Sequence, residues 1–196
     1  NSFDLSLTLS QVLSKRFQMA LTMDIAYQSG LLSTPFHRVY FDDQSLLRET
    51  LPGTRLKLPI GVRANYFIGE RFIIRSFYRF YQDDWGMSSH TAHIELPVKV
   101  SSFFSVSPFY RYYKQSKIDY FAPYQAHKVG AEFFSSDYDL SGFDSRFYGI
   151  GVRHTPFKTI ANLFAISQVE LRGALYERSD GLSAGIVTLH VQFKGF

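Results

Sequence analysis

The chain has 196 residues, 45% of them hydrophobic and 17% aromatic, with 20 Phe, 13 Tyr and no Cys. The lack of cysteine excludes a disulfide-stapled domain and any thiol or thiolate–metal chemistry, and no stretch approaches the roughly 18–20 continuous apolar residues of a spanning helix. The net charge of +4 is dispersed, with no run of Lys or Arg, so nucleic acid is not an expected partner.

The chain opens with NSFDLSLTL, a loosely alternating segment over residues 3–13. It shows neither a basic region nor an apolar leader core, so the chain reads as a processed or truncated product. Residues 17–27 alternate strictly, with Phe17, Met19, Leu21, Met23, Ile25 and Tyr27 against Gln18, Ala20, Thr22, Asp24 and Ala26. Residues 55–68 place Leu56, Leu58, Ile60, Val62, Ala64, Tyr66 and Ile68 opposite Arg55, Lys57, Arg63 and Asn65. A looser segment follows at 71–82, then a strict one at 89–100 with Ala92, Ile94, Leu96, Val98 and Val100 in phase. Residues 103–115 and 143–154 are looser. Residues 163–176 place Leu163, Ala165, Val169, Leu171 and Leu175 against Gln168, Glu170, Arg172 and Tyr176. The chain ends on GIVTLHVQFKGF, residues 185–196, which alternates up to Phe193.

Period two predicts nine strands of about ten to fourteen residues. Soluble strands average about 5–6 residues, whereas a tilted membrane-spanning strand needs about 9–11. Short connections at 14–16, 69–70, 101–102 and 155–162 alternate with connections at 28–54, 83–88, 116–142 and 177–184, of which 28–54 and 116–142 are long. Short turns at one rim and longer loops at the other are the pattern of outer-membrane barrels. The expected fold is therefore all-β, a transmembrane antiparallel up-and-down β-barrel over residues 1–196. An odd strand count leaves the first and last segments parallel. The chain is thus expected to be the C-terminal part of a larger barrel, unless the first hairpin is misread.

Aromatic residues mark both rims in the apolar phase. Phe17, Tyr66, Phe72, Phe104 and Phe193 lie near short turns, and Tyr27, Tyr78, Phe80, Tyr110, Tyr112 and Tyr148 near the opposite ends. Such rings suit the boundary between lipid and water. The competing reading is a soluble β-protein with an aromatic core.

The stretches SPFYRYYKQSKIDYFAPY (107–124), SSDYDLSGFDSRFYGIGVR (135–153) and ALYERSDGLSAGIVTLHVQFKGF (174–196) resemble the C-terminal half of an uncharacterised Gram-negative outer-membrane β-barrel family, a domain of unknown function. The resemblance implies a bacterial outer-membrane location. It implies as partners the lipid bilayer, the barrel-assembly machinery during insertion, and a small lipoprotein or larger outer-membrane complex. It also implies that Leu189, Val191, Phe193 and Phe196 act as a C-terminal insertion signal. Phe196 is out of phase with Phe193, and a bulge at Gly195 would bring it back.

The polar phase is where chemistry would reside. Its lumen-facing charged residues are Arg63, Arg75, Arg79, Glu95, Lys99, Arg111, Glu170 and Arg172. A basic wall favours anions, and the alternative is a self-neutralising network in which Glu95 and Glu170 pair with arginines. His90 and His93 point to opposite faces, so they are poorly placed to share a metal. The carboxylate pairs Asp42–Asp43, Asp83–Asp84 and Asp137–Asp139 are read as turn residues rather than Ca²⁺ ligands. No nucleophile-elbow motif occurs, and no Ser/His spacing singles out a pair. The expectation is a channel or transport-type, porin-like barrel without a cofactor. A structural barrel subunit anchoring a lipoprotein or surface complex is the alternative, and a barrel enzyme the remote one.

Overall fold

A computed structural model describes residues 1–156, 158–160 and 164–195, and the side chains of 1–156 and 166–194. The strands are β1 Ser2–Ser14, β2 Phe17–Ser29, β3 Arg38–Tyr40, β4 Leu46–Arg48, β5 Thr54–Ile68, β6 Phe72–Asp83, β7 Ser88–Glu95, β8 Val98–Lys99, β9 Phe104–Gln115, β10 Phe143–His154, β11 Lys158–Ile160, β12 Phe164–Arg178 and β13 Ser183–Gly195. A 3₁₀ turn at Tyr138–Leu140 is the only helical element among the described residues.

The protein is all-β and antiparallel. Eleven strands form one sheet in the order β1-β2-β5-β6-β7-β9-β10-β12, with β13 on β12, β8 between β6 and β9, and β11 on β12. β7 and β8 are one strand in register, since Arg75 faces Glu95 and Phe72 faces Val98. The gap falls at Pro97, which has no N–H to give to a ladder. Nine long strands therefore follow one another as antiparallel neighbours, matching the nine alternating segments. β1 and β13, at the two ends of that series, run in the same direction.

The alternation of each segment carries across the sheet because register keeps like residues on one face. One row of paired positions runs Gly61, Arg79, Thr91, Tyr113, Ser145, Arg178. Another row on the same face runs Asn65, Arg75, Glu95, Phe109, Gly149, Ala174. On the other face Val62, Tyr78, Ala92, Tyr112 and Arg146 align.

Burial is inverted relative to a soluble sheet. The polar face holds the buried residues Thr91, Glu95, Ser107, Ser145 and Glu170, whereas Ile60, Tyr78, Ile94, Ile150, Leu171 and Leu189 on the apolar face are exposed. Among the described residues, every buried apolar side chain except Phe109 and Pro97 lies in the connections at one end of the sheet. Leu51, Trp85, Met87, Ile118 and Phe121 form one cluster there, and Val39, Phe41 and Phe134 another. The connections 28–54, 83–88 and 116–142 thus fold together as a cap. Within the first, β3 and β4 form a hairpin of their own. Backbone bridges from Phe41 to His127, Thr50 to Phe134 and Phe121 to Ser135 tie the cap together.

One connection and one register differ from expectation. The stretch 155–162 is not a plain turn, because β11 pairs Lys158–Ile160 with β12 beyond the end of β10. No register shift falls between Phe193 and Gly195. Gly195 pairs in register with Phe164, and the register shift falls instead between Ile166 and Gln168 of β12. That shift sets Ile166 opposite Phe193 on the apolar face, where an unbroken period would have put Ile166 beside the polar residues. Phe196 lies outside the described residues.

Candidate functional site

The polar face is built by alternate residues of β5, β6, β7, β9, β10 and β12, so its side chains converge from six strands. Glu95 of β7 accepts from Arg75 of β6 at 3.5 Å and from Arg172 of β12 at 3.3 Å. Glu170 of β12 accepts from Arg172 at very short range and from Arg153 of β10 at 2.8 Å. The chain Arg75–Glu95–Arg172–Glu170–Arg153 therefore crosses the sheet as one ionic network. Each glutamate is nearly buried and each has two guanidinium partners, which offsets the cost of removing a carboxylate from water.

Not every cation on this face is neutralised in that way. Arg63 lies over the ring of Phe77 at 5.7 Å, and Arg111 over Phe147 at 4.8 Å, as cation–π contacts. Arg79 faces Thr91 in the ladder and has no carboxylate partner among the described residues. Lys99 sits at the far rim, where its backbone N–H donates to Arg71. The eight charged residues read from the sequence thus share one face but divide into groups. Arg75, Glu95, Glu170 and Arg172 are knitted together, Arg63, Arg79 and Arg111 keep net positive charge, and Lys99 stands apart. Arg153 also belongs to the network, and its polar-phase position in the alternating segment 143–154 was the available signal.

Leu189, Val191 and Phe193 all lie on the apolar face, opposite Leu171, Val169 and Ile166. His90 and His93 do point to opposite faces: His90 bonds the Tyr78 hydroxyl at 2.7 Å on the apolar side, and His93 pairs with Phe77 and Arg111 on the polar side.

The cap is anchored to the sheet through buried polar groups. Asp83, the last residue of β6, accepts from Arg55 Nε at 2.9 Å and Nη2 at 2.5 Å, from the Tyr81 hydroxyl at 2.7 Å, and from the N–H groups of Trp85 and Met87 at 3.0 Å each. Arg55 also stacks on Trp85 at 4.3 Å, and the indole N–H donates to the Thr54 carbonyl at 2.9 Å. Deeper in the cap, Glu49 accepts from the Ser135 hydroxyl at 2.5 Å and the Thr34 N–H at 2.7 Å, and His127 Nε2 lies 2.9 Å from the Ser135 carbonyl. Sequence reasoning missed this framework. Its one signal was the lone Trp in a connection otherwise read as a turn.

Three more of the paired aspartates accept backbone N–H groups. Asp84 accepts from Leu56 N–H, Asp43 from Ser45 N–H, and Asp137 from Asp139 N–H. No group of three or more His, Asp or Glu among the described residues is arranged to hold a metal. The Ser45 contacts hold the exposed Asp43 carboxyl below the usual carboxylate range, and the Arg178 guanidinium does the same for Asp180 in the β12–β13 turn.

A family model described as "Protein of unknown function (DUF3570)" matches residues 1–187. No curated protein and no solved structure matches the chain.

Proposed function

The chain belongs to the DUF3570 family of proteins of unknown function, and we propose that it is a bacterial outer-membrane β-barrel protein of channel or transport type, its polar face turned to a water-filled lumen. The observation that carries this reading is the inverted burial of the sheet. Half-exposing an aliphatic or aromatic side chain forgoes roughly 1 kcal/mol. Ile60, Tyr78, Ile94, Tyr110, Ile150, Leu171, Leu175 and Leu189 are all exposed on one face, and together they forgo an amount comparable with the total stability of a domain, about 5–15 kcal/mol. In water that face is a large liability. Against acyl chains it is the expected surface of a barrel wall. The strand lengths and the aromatic residues near both strand ends support the same environment.

Six basic residues, Arg63, Arg75, Arg79, Lys99, Arg111 and Arg172, share the proposed lumen with Glu95 and Glu170, which supports an anion preference. Membrane fractionation followed by planar-bilayer recording tests the proposal. Outer-membrane localisation with stepwise conductance and an anion-selective reversal potential is expected. Recovery in the soluble fraction overturns it, and cation selectivity overturns the preference.

The cap supports a second reading, a structural barrel subunit that anchors a lipoprotein or surface complex. Its two apolar clusters rigidify connections that an open pore does not require. Absence of conductance, together with stoichiometric co-purification of a lipoprotein, would favour it.

A further inference from the structure

The cap-side half of the polar face contains a cavity of about 390 Å³ lined by Arg79, Arg111, Arg178, Tyr113, Tyr176 and Thr91, among others. Three features mark it. Thr91 is only 7% exposed and its hydroxyl has no hydrogen-bond partner among the described residues, which is rare for a buried polar group. Arg79 and Arg111 flank Thr91 from the strands on either side of β7 and have no carboxylate partner among the described residues. Arg178, by contrast, is already held by Asp139 at 2.5 Å and Asp180 at 2.6 Å, and it stacks on Phe143 at 3.9 Å, so it forms a fixed wall.

We propose that this cavity is a binding site for a small organic oxyanion, a phosphate monoester or carboxylate carried on a flat apolar body. Guanidinium groups are suited to such oxyanions because their fork of N–H donors matches the acceptor geometry. Thr91, set between Arg79 and Arg111, lines the same cavity. Tyr113, Phe143 and Tyr176 supply the ring surface for the rest of the ligand. The inference rests on the proposed function only in taking the polar face to be open to water. It requires no conduction.

The test is calorimetric titration of the purified full chain with phenyl phosphate and, separately, inorganic phosphate. Binding of phenyl phosphate with a dissociation constant near or below about 1 mM is expected, tighter than for inorganic phosphate. Arg79→Gln and Arg111→Gln should each weaken it about tenfold or more. Lys15→Gln, in the β1–β2 turn, should leave it unchanged. Circular dichroism establishes that each variant is folded. No detectable binding, equal affinity for both probes, or undiminished binding by a folded Arg79→Gln/Arg111→Gln variant overturns the inference. A protein that conducts but does not bind defeats this inference alone. One that binds but is soluble defeats the membrane reading and leaves the site standing.

Discussion

Ile94 and Glu95 are adjacent on β7 and live in opposite environments: the isoleucine is 49% exposed and the glutamate 7%. In a water-soluble sheet the two values would be exchanged, because exposed carboxylates are solvated without cost and buried isoleucines drive folding. Here the carboxylate is enclosed by Arg75 and Arg172, and the aliphatic chain faces outward.

A pair of substitutions on β13 reads this inversion directly. Thr188 and Leu189 are neighbours, both exposed, one on each face. Thr188→Arg should be tolerated. Leu189→Arg should cost about 2–4 kcal/mol in a lipid environment and reduce the amount of assembled protein in the membrane. If both variants are equally stable and equally assembled, the apolar face does not meet lipid.

Glu95→Gln removes the shared acceptor of Arg75 and Arg172 while keeping its shape. The expected loss is about 1–3 kcal/mol in denaturant or thermal unfolding. If the barrel conducts as proposed, the same change should strengthen its preference for anions, because two guanidiniums lose one of their neutralising charges. Glu95→Ala gives a larger stability loss and the same direction of selectivity.

Gly149→Ala should split the pairing of β10 with β12. A Cβ at Gly149 would stand 2.1 Å from the Gly173 carbonyl oxygen and 2.8 Å from Ala174 Cα, both backbone atoms that cannot swing aside. Overpacking of this kind costs about 1–3 kcal/mol. Gly173→Ala meets nothing within 4 Å and serves as the paired control.

The β12–β13 turn should loosen in acid. Arg178 holds the Asp180 carboxyl below its ordinary 3.8, so its contribution is fully present above that value. It is lost as pH falls through the lowered folded value. Backbone exchange at Leu182, whose N–H bonds Asp180, should rise over that acidic window, and Asp180→Asn should abolish the dependence. The group is exposed, so the effect is local to the turn.

Trp85→Ala should release the cap. Truncating a buried Trp costs about 3–5 kcal/mol, and here it also frees the Thr54 carbonyl and the face of Arg55. Faster proteolysis within residues 116–142, with the long strands still protected, is the expected readout.

The long strands were legible because a period of two is imposed wherever one face meets a single environment. Residues 17–27 or 55–68 need no neighbours to reveal it. Pro97, in the polar phase, was read through correctly, since register continues across it. The cap was not legible, because its contacts join residues far apart in sequence, such as Glu49 with Ser135, and follow no period. The register shift beside Ser167 was missed for a related reason. A glycine near the terminus is a stronger local cue for a bulge than a serine, but the pairing of Ile166 with Phe193 decided its place. On the polar face the ion pairs of Glu95 and Glu170 were anticipated. The idle hydroxyl of Thr91 was not, since an unmet hydrogen bond leaves no mark in a sequence.

The five hydrogen bonds converging on Asp83 have a thermodynamic corollary. The same carboxylate terminates β6 and organises the Trp85 and Met87 amides, so opening the cap exposes a charge that the sheet holds through Arg55. Cap and sheet are thereby coupled at this point, and the Trp85 and Met87 amides should exchange with solvent far more slowly than those of a surface loop.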